Sequence, residues 1–226
     1  MLAIAPIAPR SRPITQISGR LPRVPDNPTR SISTRSADWR DRTADLLRHA
    51  PARAGRCRVL ALEGRSGAGK TALAEALAAR LRCPVVHMDD LYPGWEGLEA
   101  VAPLVRKWVL EPLAEGRDPR WRRWDWENGD WAPDDAGGWD SAEVADTLVI
   151  EGCGCGAEEL REFLSLLVWV EAPEDVRHQR LNARWDADLY APFREMWAAQ
   201  EESFAARHDP RKHADLVLDN SDETTA

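Results

Sequence analysis
A short apolar run, Val59-Leu60-Ala61-Leu62, breaks at Gly64, and the chain then passes Gly67, Gly69, Lys70 and Thr71 before a helical pattern begins. The spacing is G-x-x-x-x-G-K-[ST], set between a strand and a helix. A glycine-rich turn in that setting lets successive backbone N–H groups converge on one point and surround a phosphate. The N-terminus of the following helix adds partial positive charge there. Gly64, Arg65, Ser66, Gly67, Ala68, Gly69, Lys70 and Thr71 are therefore candidate nucleotide-binding residues. Lys70 can reach the β- and γ-phosphates of a nucleotide, and the Thr71 hydroxyl can face Mg²⁺. The bland alternative, a glycine-rich turn that merely matches the spacing, explains neither the strand before it nor the helix after it.

A loop of this kind needs a sheet to carry it, and the rest of the chain supplies one. Leu73, Ala74, Leu77, Ala78 and Leu81 repeat at helical spacing behind the loop. Short buried strands are expected at 84–88, 147–150, 166–171 and 214–218. Helices are expected at 36–49, 98–115 (kinked by its prolines), 157–164, after Pro173, and at 191–206. Strands that alternate with helices predict an α/β fold with a mostly parallel sheet and right-handed crossovers. Parallel sheets collect functional groups at the carboxyl ends of their strands. Asp89-Asp90 and Glu151 each end such a strand and should lie beside the glycine-rich turn.

With 226 residues, 43% hydrophobic and 30% charged, the chain fits one domain with tails. Residues 1–36 hold six of the sixteen prolines and six arginines against one acid, Asp26, and show no hydrophobic period. They read as a disordered basic tail, residues 37–219 as the folded domain, and residues 220–226 as a polar tail. The net charge of −8 argues against a nucleic-acid partner, and no apolar run is long enough to span a membrane. Cys57, Cys83, Cys153 and Cys155 lack metal or redox spacing and read as reduced, mostly core thiols of a cytoplasmic protein. His87 belongs to the packing or the edge of the pocket.

The order of the elements resembles a known family. G-R-S-G-A-G-K-T (64–71), M-D-D-L-Y (88–92), R-W-D-W (123–126), V-I-E-G (149–152), P-E-D-V-R-H-Q-R (173–180) and A-D-L-V-L-D (214–219) follow one another as in the uridine kinase and nicotinamide riboside kinase group of P-loop small-molecule kinases. The resemblance covers about residues 58–219. It implies a three-layer P-loop NTPase fold with an Arg-bearing lid, and it implies ATP and Mg²⁺ as cofactors. By that resemblance Asp89 takes the proton of the acceptor hydroxyl, with Asp90 as the rival, and Glu151 serves near the metal. Phosphoryl transfer does need a carboxylate to orient and deprotonate the attacking hydroxyl. Arg177, Arg180 and Arg184, spaced i, i+3, i+7, share a helix face that the resemblance makes the lid; the alternative is a solvated face paired with Glu174 and Asp175. Tyr92, Trp124, Asp125 and Trp126 are the implied acceptor site: Asp125 can accept from a diol and a Trp can stack on a ring, or these Trp are ordinary packing. Trp here replaces the family's Tyr and Phe, so nucleoside specificity does not carry over.

The expected activity is ATP-dependent phosphorylation of a hydroxyl on a small molecule, foremost a nucleoside or riboside. A regulatory nucleotide-binding protein with little acceptor activity, and a nucleoside-monophosphate kinase gripping its acceptor through the arginines of 117–123, are the other two readings. The sequence leaves the oligomeric state open.

Overall fold
The computed structural model describes residues 30–144 and 146–221. In chain order these form β1 (Arg30–Ser33), α1 (Trp39–His49), β2 (Arg58–Glu63), α2 (Lys70–Leu81), β3 (Val85–His87), α3 (Val101–Val105) and α4 (Glu111–Ala114). Four short strands follow, β4 (Arg120–Arg122), β5 (Trp124–Asp125), β6 (Asp130–Trp131) and β7 (Trp139–Ser141). Then come β8 (Thr147–Glu151), β9 (Leu164–Glu171), α5 (Glu174–Ala183), α6 (Ala187–Tyr190), α7 (Arg194–His208), α8 (Pro210–His213) and β10 (Leu216–Asp219).

Six strands make one sheet in the order β1-β10-β9-β2-β8-β3, and every pairing in it is parallel. Such a sheet is buried on both faces, which is why its strands read as continuous apolar runs. Leu60 and Leu62 of β2 face α1 and α2, packing with Trp39, Leu47, Leu73 and Leu77. Val59 and Ala61 face the other way, into a layer with Val101, Val105, Val109, Trp197 and Phe204. The result is three layers. The chain moves from β2 to β3 on one side and later to β9 and β10 on the other, so the strand order reverses at β2 and opens a crevice at its carboxyl end.

Several boundaries differ from the sequence expectation. Residues 30–33, placed in the tail, form an edge strand with Ile32 buried against Leu218. One apolar residue in a polar stretch carries no period, and the β10 backbone supplies the rest of the binding. Asn220, placed in the opposite tail, is fully buried. The expected tails over 1–29 and 222–226 lie outside the described residues. The helix expected at 157–164 is only a 3-10 turn, Glu158–Leu160, and β9 begins at Leu164; a short apolar run fits either state. Arg184 lies beyond α5 in extended backbone. The 191–206 helix begins at Arg194, after a 3-10 turn that holds Pro192. The 98–115 helix is interrupted by a wide π turn, Arg106–Leu110, just ahead of Pro112. Proline has no N–H to donate and its ring crowds the carbonyl four residues back, which the wider turn relieves.

Among the described residues no helix is long and apolar enough to cross a membrane.

Candidate active site
The glycine-rich turn joins β2 to α2 at the crevice. Gly67 (φ 78°) and Gly69 (φ 92°) are left-handed and curl the loop. Both are also required from behind: a Cβ on Gly67 would lie 2.4 Å from the Arg177 carbonyl oxygen, and one on Gly69 would lie 2.4 Å from Nδ2 of Asn220. Lys70 is only 8% exposed. Its Nζ donates to the Gly64 carbonyl (2.8 Å), the Arg65 carbonyl (3.2 Å) and Cys153 Sγ (3.4 Å). Burial disfavours the ammonium, but Cys153, Glu201, Glu151 and Glu63 around it outweigh burial and hold the lysine charged.

Glu63 is the last residue of β2, and its two oxygens accept from Gly64 N–H (2.9 Å) and Gly156 N–H (2.8 Å). Burial raises its carboxyl from 4.5 to about 7, against the pull of those amides and of Lys70. The folded protein therefore keeps a proton that the unfolded chain has already lost. Stability should fall by roughly 3 kcal/mol as pH rises from about 4.5 through about 7, then level off. The raised values of Asp89, Asp90 and His87 act in the same direction. Denaturant melts across this window should show the decline, and Glu63→Gln should flatten it; stability that climbs toward pH 7 would contradict the assignment.

All four cysteines are free. Cys153 is more than a core thiol, since its sulfur touches Lys70, the Gly64 carbonyl (3.3 Å) and Glu201 (3.2 Å), and burial pushes the thiol well above its ordinary value.

The acids ending β3 and β8 lie beside the loop. Glu151 is buried, and its Oε1 meets the Thr71 hydroxyl at 3.2 Å and His87 Nδ1 at 2.7 Å. His87 thus orients this carboxylate, and the hydrogen bond raises the imidazole despite its partial burial. Thr71 and Glu151 are 80 residues apart in sequence, yet their oxygens are spaced close to the edge of an octahedron around Mg²⁺, about 2.9 Å. These hard oxygens fit that ion. Asp89 sits in the 3-10 turn Met88–Asp90. Its side chain is open to solvent in a cleft crowded by protein. That crowding raises its carboxyl, as does Glu151, while Arg184, Lys70 and His87 pull it down. Asp90 instead faces Arg123, 3.7 Å away.

Of the arginines expected to form a lid, Arg184 feels Asp89 across the cleft and is held by Asp186 at 2.6 Å. Arg177 and Arg180 reach the outside of the loop. Arg177 donates to the Ser66 carbonyl (3.2 Å), and Arg180 donates to the Gly67 (3.4 Å) and Ala68 (3.2 Å) carbonyls.

The expected acceptor residues are largely spoken for. The Asp125 carboxylate caps its own turn, accepting from the Glu127 and Asn128 backbone and the Asn128 side chain, which lower it. Trp124 packs against Trp131 (5.2 Å between centroids) and over Gly94. The Tyr92 hydroxyl is buried and donates to the Cys153 carbonyl (2.7 Å). Trp126 packs on Trp95 (4.5 Å), and its Nε1 donates to the Asp89 carbonyl (3.0 Å), so it fixes the turn that bears Asp89.

Glu201 has no part in the sequence reading. Its Oε1 accepts from Ser66 N–H (2.8 Å) and Ser66 Oγ (2.6 Å). The signal is legible in hindsight: Trp197, Phe204 and His208 lie at i−4, i+3 and i+7 from it, all buried on one face of α7.

Residues 60–189 match the family described as AAA domain. The chain belongs to the AAA domain family. The match runs from β2 through the loop and both strand-end acids to the cleft-facing Arg184. Among curated proteins none matches the sequence. Among solved structures, one described as a "Possible Uridine Kinase" from Bacillus stearothermophilus is 23% identical with a TM-score of 0.55, over 80% of this chain and 100% of that one. Shikimate kinase from Bacteroides thetaiotaomicron (18% identical, TM-score 0.36, 74% of this chain and 88% of that one) is also similar. So is a gluconokinase from Sinorhizobium meliloti 1021 (17%, 0.36, 74% and 85%). At 23% identity the likeness to the first of these is one of fold.

Proposed function
We propose that this AAA domain is a cytoplasmic ATP-dependent kinase that phosphorylates a hydroxyl of a small molecule, foremost a nucleoside or riboside. The observation that carries the reading is the placement of Asp89. It stands on the same sheet edge as the glycine-rich loop, within electrostatic reach of Lys70, Glu151 and Arg184, and open to solvent.

Bound ATP would supply the phosphoryl group, and Mg²⁺ held by Thr71 and Glu151 would neutralise part of its charge. Lys70, already charged and pinned at the loop, holds the terminal phosphates. Asp89 orients the acceptor hydroxyl and takes its proton as the new O–P bond forms. Its raised carboxyl makes it a better base than an ordinary exposed aspartate. Arg184 adds positive charge from the far wall of the cleft. With Asp125 and Tyr92 engaged elsewhere, the acceptor contacts fall to Asp89, Arg123 with Asp90, and the edge of Trp126.

An acceptor panel tests the reading. ADP release should rise severalfold with at least one nucleoside or riboside over the ATP-only rate, and pantothenate, sugars and nucleoside monophosphates should give less. Release that no acceptor raises would remove the kinase reading, and a response to monophosphates alone would move it to that class.

A further inference from the structure
The back of the glycine-rich loop is held by side chains. Three successive carbonyl oxygens, those of Ser66, Gly67 and Ala68, point away from the crevice into side chains: Arg177 takes the first, Arg180 the second and third, and Asn220 Nδ2 the third again at 2.8 Å. In a trans peptide the carbonyl and the next residue's N–H point in opposite directions. Fixing the Ser66 and Ala68 carbonyls outward therefore turns the Gly67 and Gly69 N–H groups inward. The Ala68 N–H between them is taken by the Arg65 carbonyl (3.1 Å). Left-handed Gly67 and Gly69 thus present alternate amides to one side, the arrangement that makes an anion nest.

We propose that Arg180 and Asn220 together are positioning residues that set these loop amides before any ligand arrives. The proposal rests on the phosphate-binding reading of the loop. The two residues brace each other, since Arg180 Nη2 donates to the Asn220 carbonyl at 3.0 Å. Asn220 is fixed in turn by the Thr34 hydroxyl on Oδ1 (2.9 Å) and by its own N–H on the Glu171 carbonyl (2.8 Å). Its side chain fits only because Gly69 has no Cβ. The guanidinium behind the carbonyls also polarises the peptides and strengthens their N–H groups as donors. A lid arginine would touch the transferred group; Arg180 acts through the loop instead.

The roles separate by experiment. Arg180→Ala should weaken ADP and ATP binding alike, by about tenfold or more, while kcat at saturating nucleotide stays within about threefold. Arg180→Lys should restore part of the affinity, because a single ammonium can reach the Gly67 and Ala68 carbonyls but lacks the second nitrogen with which the guanidinium spans to the Asn220 carbonyl. Asn220→Asp, which keeps the acceptor for Thr34 and loses the donor to Ala68, should weaken binding in the same pattern. Hydrogen exchange of the 64–71 backbone in the nucleotide-free protein should speed up in each variant, with thermal melts checking that the domain is folded. Unchanged ADP affinity with a large fall in kcat would return Arg180 to the lid and overturn the proposal. Unchanged loop exchange in folded Arg180→Ala would overturn it too, and does so even if the wild type binds no nucleotide, the outcome that would instead sink the kinase reading.

Discussion

Asp89→Asn should lower kcat by about a thousandfold while leaving nucleotide affinity within about twofold. The amide keeps the size of the side chain and loses the proton acceptor, so the cost falls on the chemical step and not on binding. A second signature follows from the environment. Crowding and Glu151 raise the Asp89 carboxyl above its ordinary value of 3.8. A base must be ionised to act, so kcat/KM should climb with pH through that raised value and flatten above it. In Asp89→Asn this acidic limb should vanish. Asp90→Asn, which removes a carboxylate that faces Arg123, should cost far less. If Asp90→Asn were inactive and Asp89→Asn near normal, the two roles would be exchanged.

Lys70→Met should cut phosphoryl transfer by orders of magnitude and also destabilise the fold, a double loss that an exposed lysine would not show. On the chemical side, removing one preorganised charge at the transferred group costs about 100- to 1,000-fold in kcat. On the structural side, Lys70 is buried among Glu63, Glu151 and Glu201. Methionine fills the space and leaves those carboxylates without their cation, at a cost of about 3–5 kcal/mol. The loss should be largest above about pH 7, where Glu63 is ionised, and smaller toward pH 5, where it is protonated. Melts of wild type and Lys70→Met should therefore converge as pH falls. Parallel curves would mean that Lys70 does not balance the buried acids.

Sequence patterns report what repeats along the chain, and the site was legible to that extent. The glycine-rich turn needs its residues in one order within eight positions, so strand, loop and helix follow from spacing alone. Asp89 and Glu151 were placed by the rule that parallel strands end together. Trp124 and Asp125 were harder. Their composition suits a ligand platform, but Trp131, Gly94 and Asn128 satisfy them first: Trp131 and Asn128 are brought in by the small β5–β6 hairpin that no period announces, and Gly94 by the loop after β3. Arg177 and Arg180 share a helix face as their spacing requires, yet spacing does not say whether that face meets the cleft or the back of the loop.

By itself, then, the sequence determined the α/β order of elements, the phosphate loop and the strand-end acids, because each rests on local periodicity or on contiguous residues. Only the tertiary structure decided which arginine faces Asp89, that Glu201 and Cys153 close around Ser66 and Lys70, and that Asn220 braces the loop. Those contacts join residues 40 to 152 positions apart. They arise from how α5 and α7 dock on the sheet and from where β8 and β10 end within it, a long-range packing that leaves no mark at any one position of the chain.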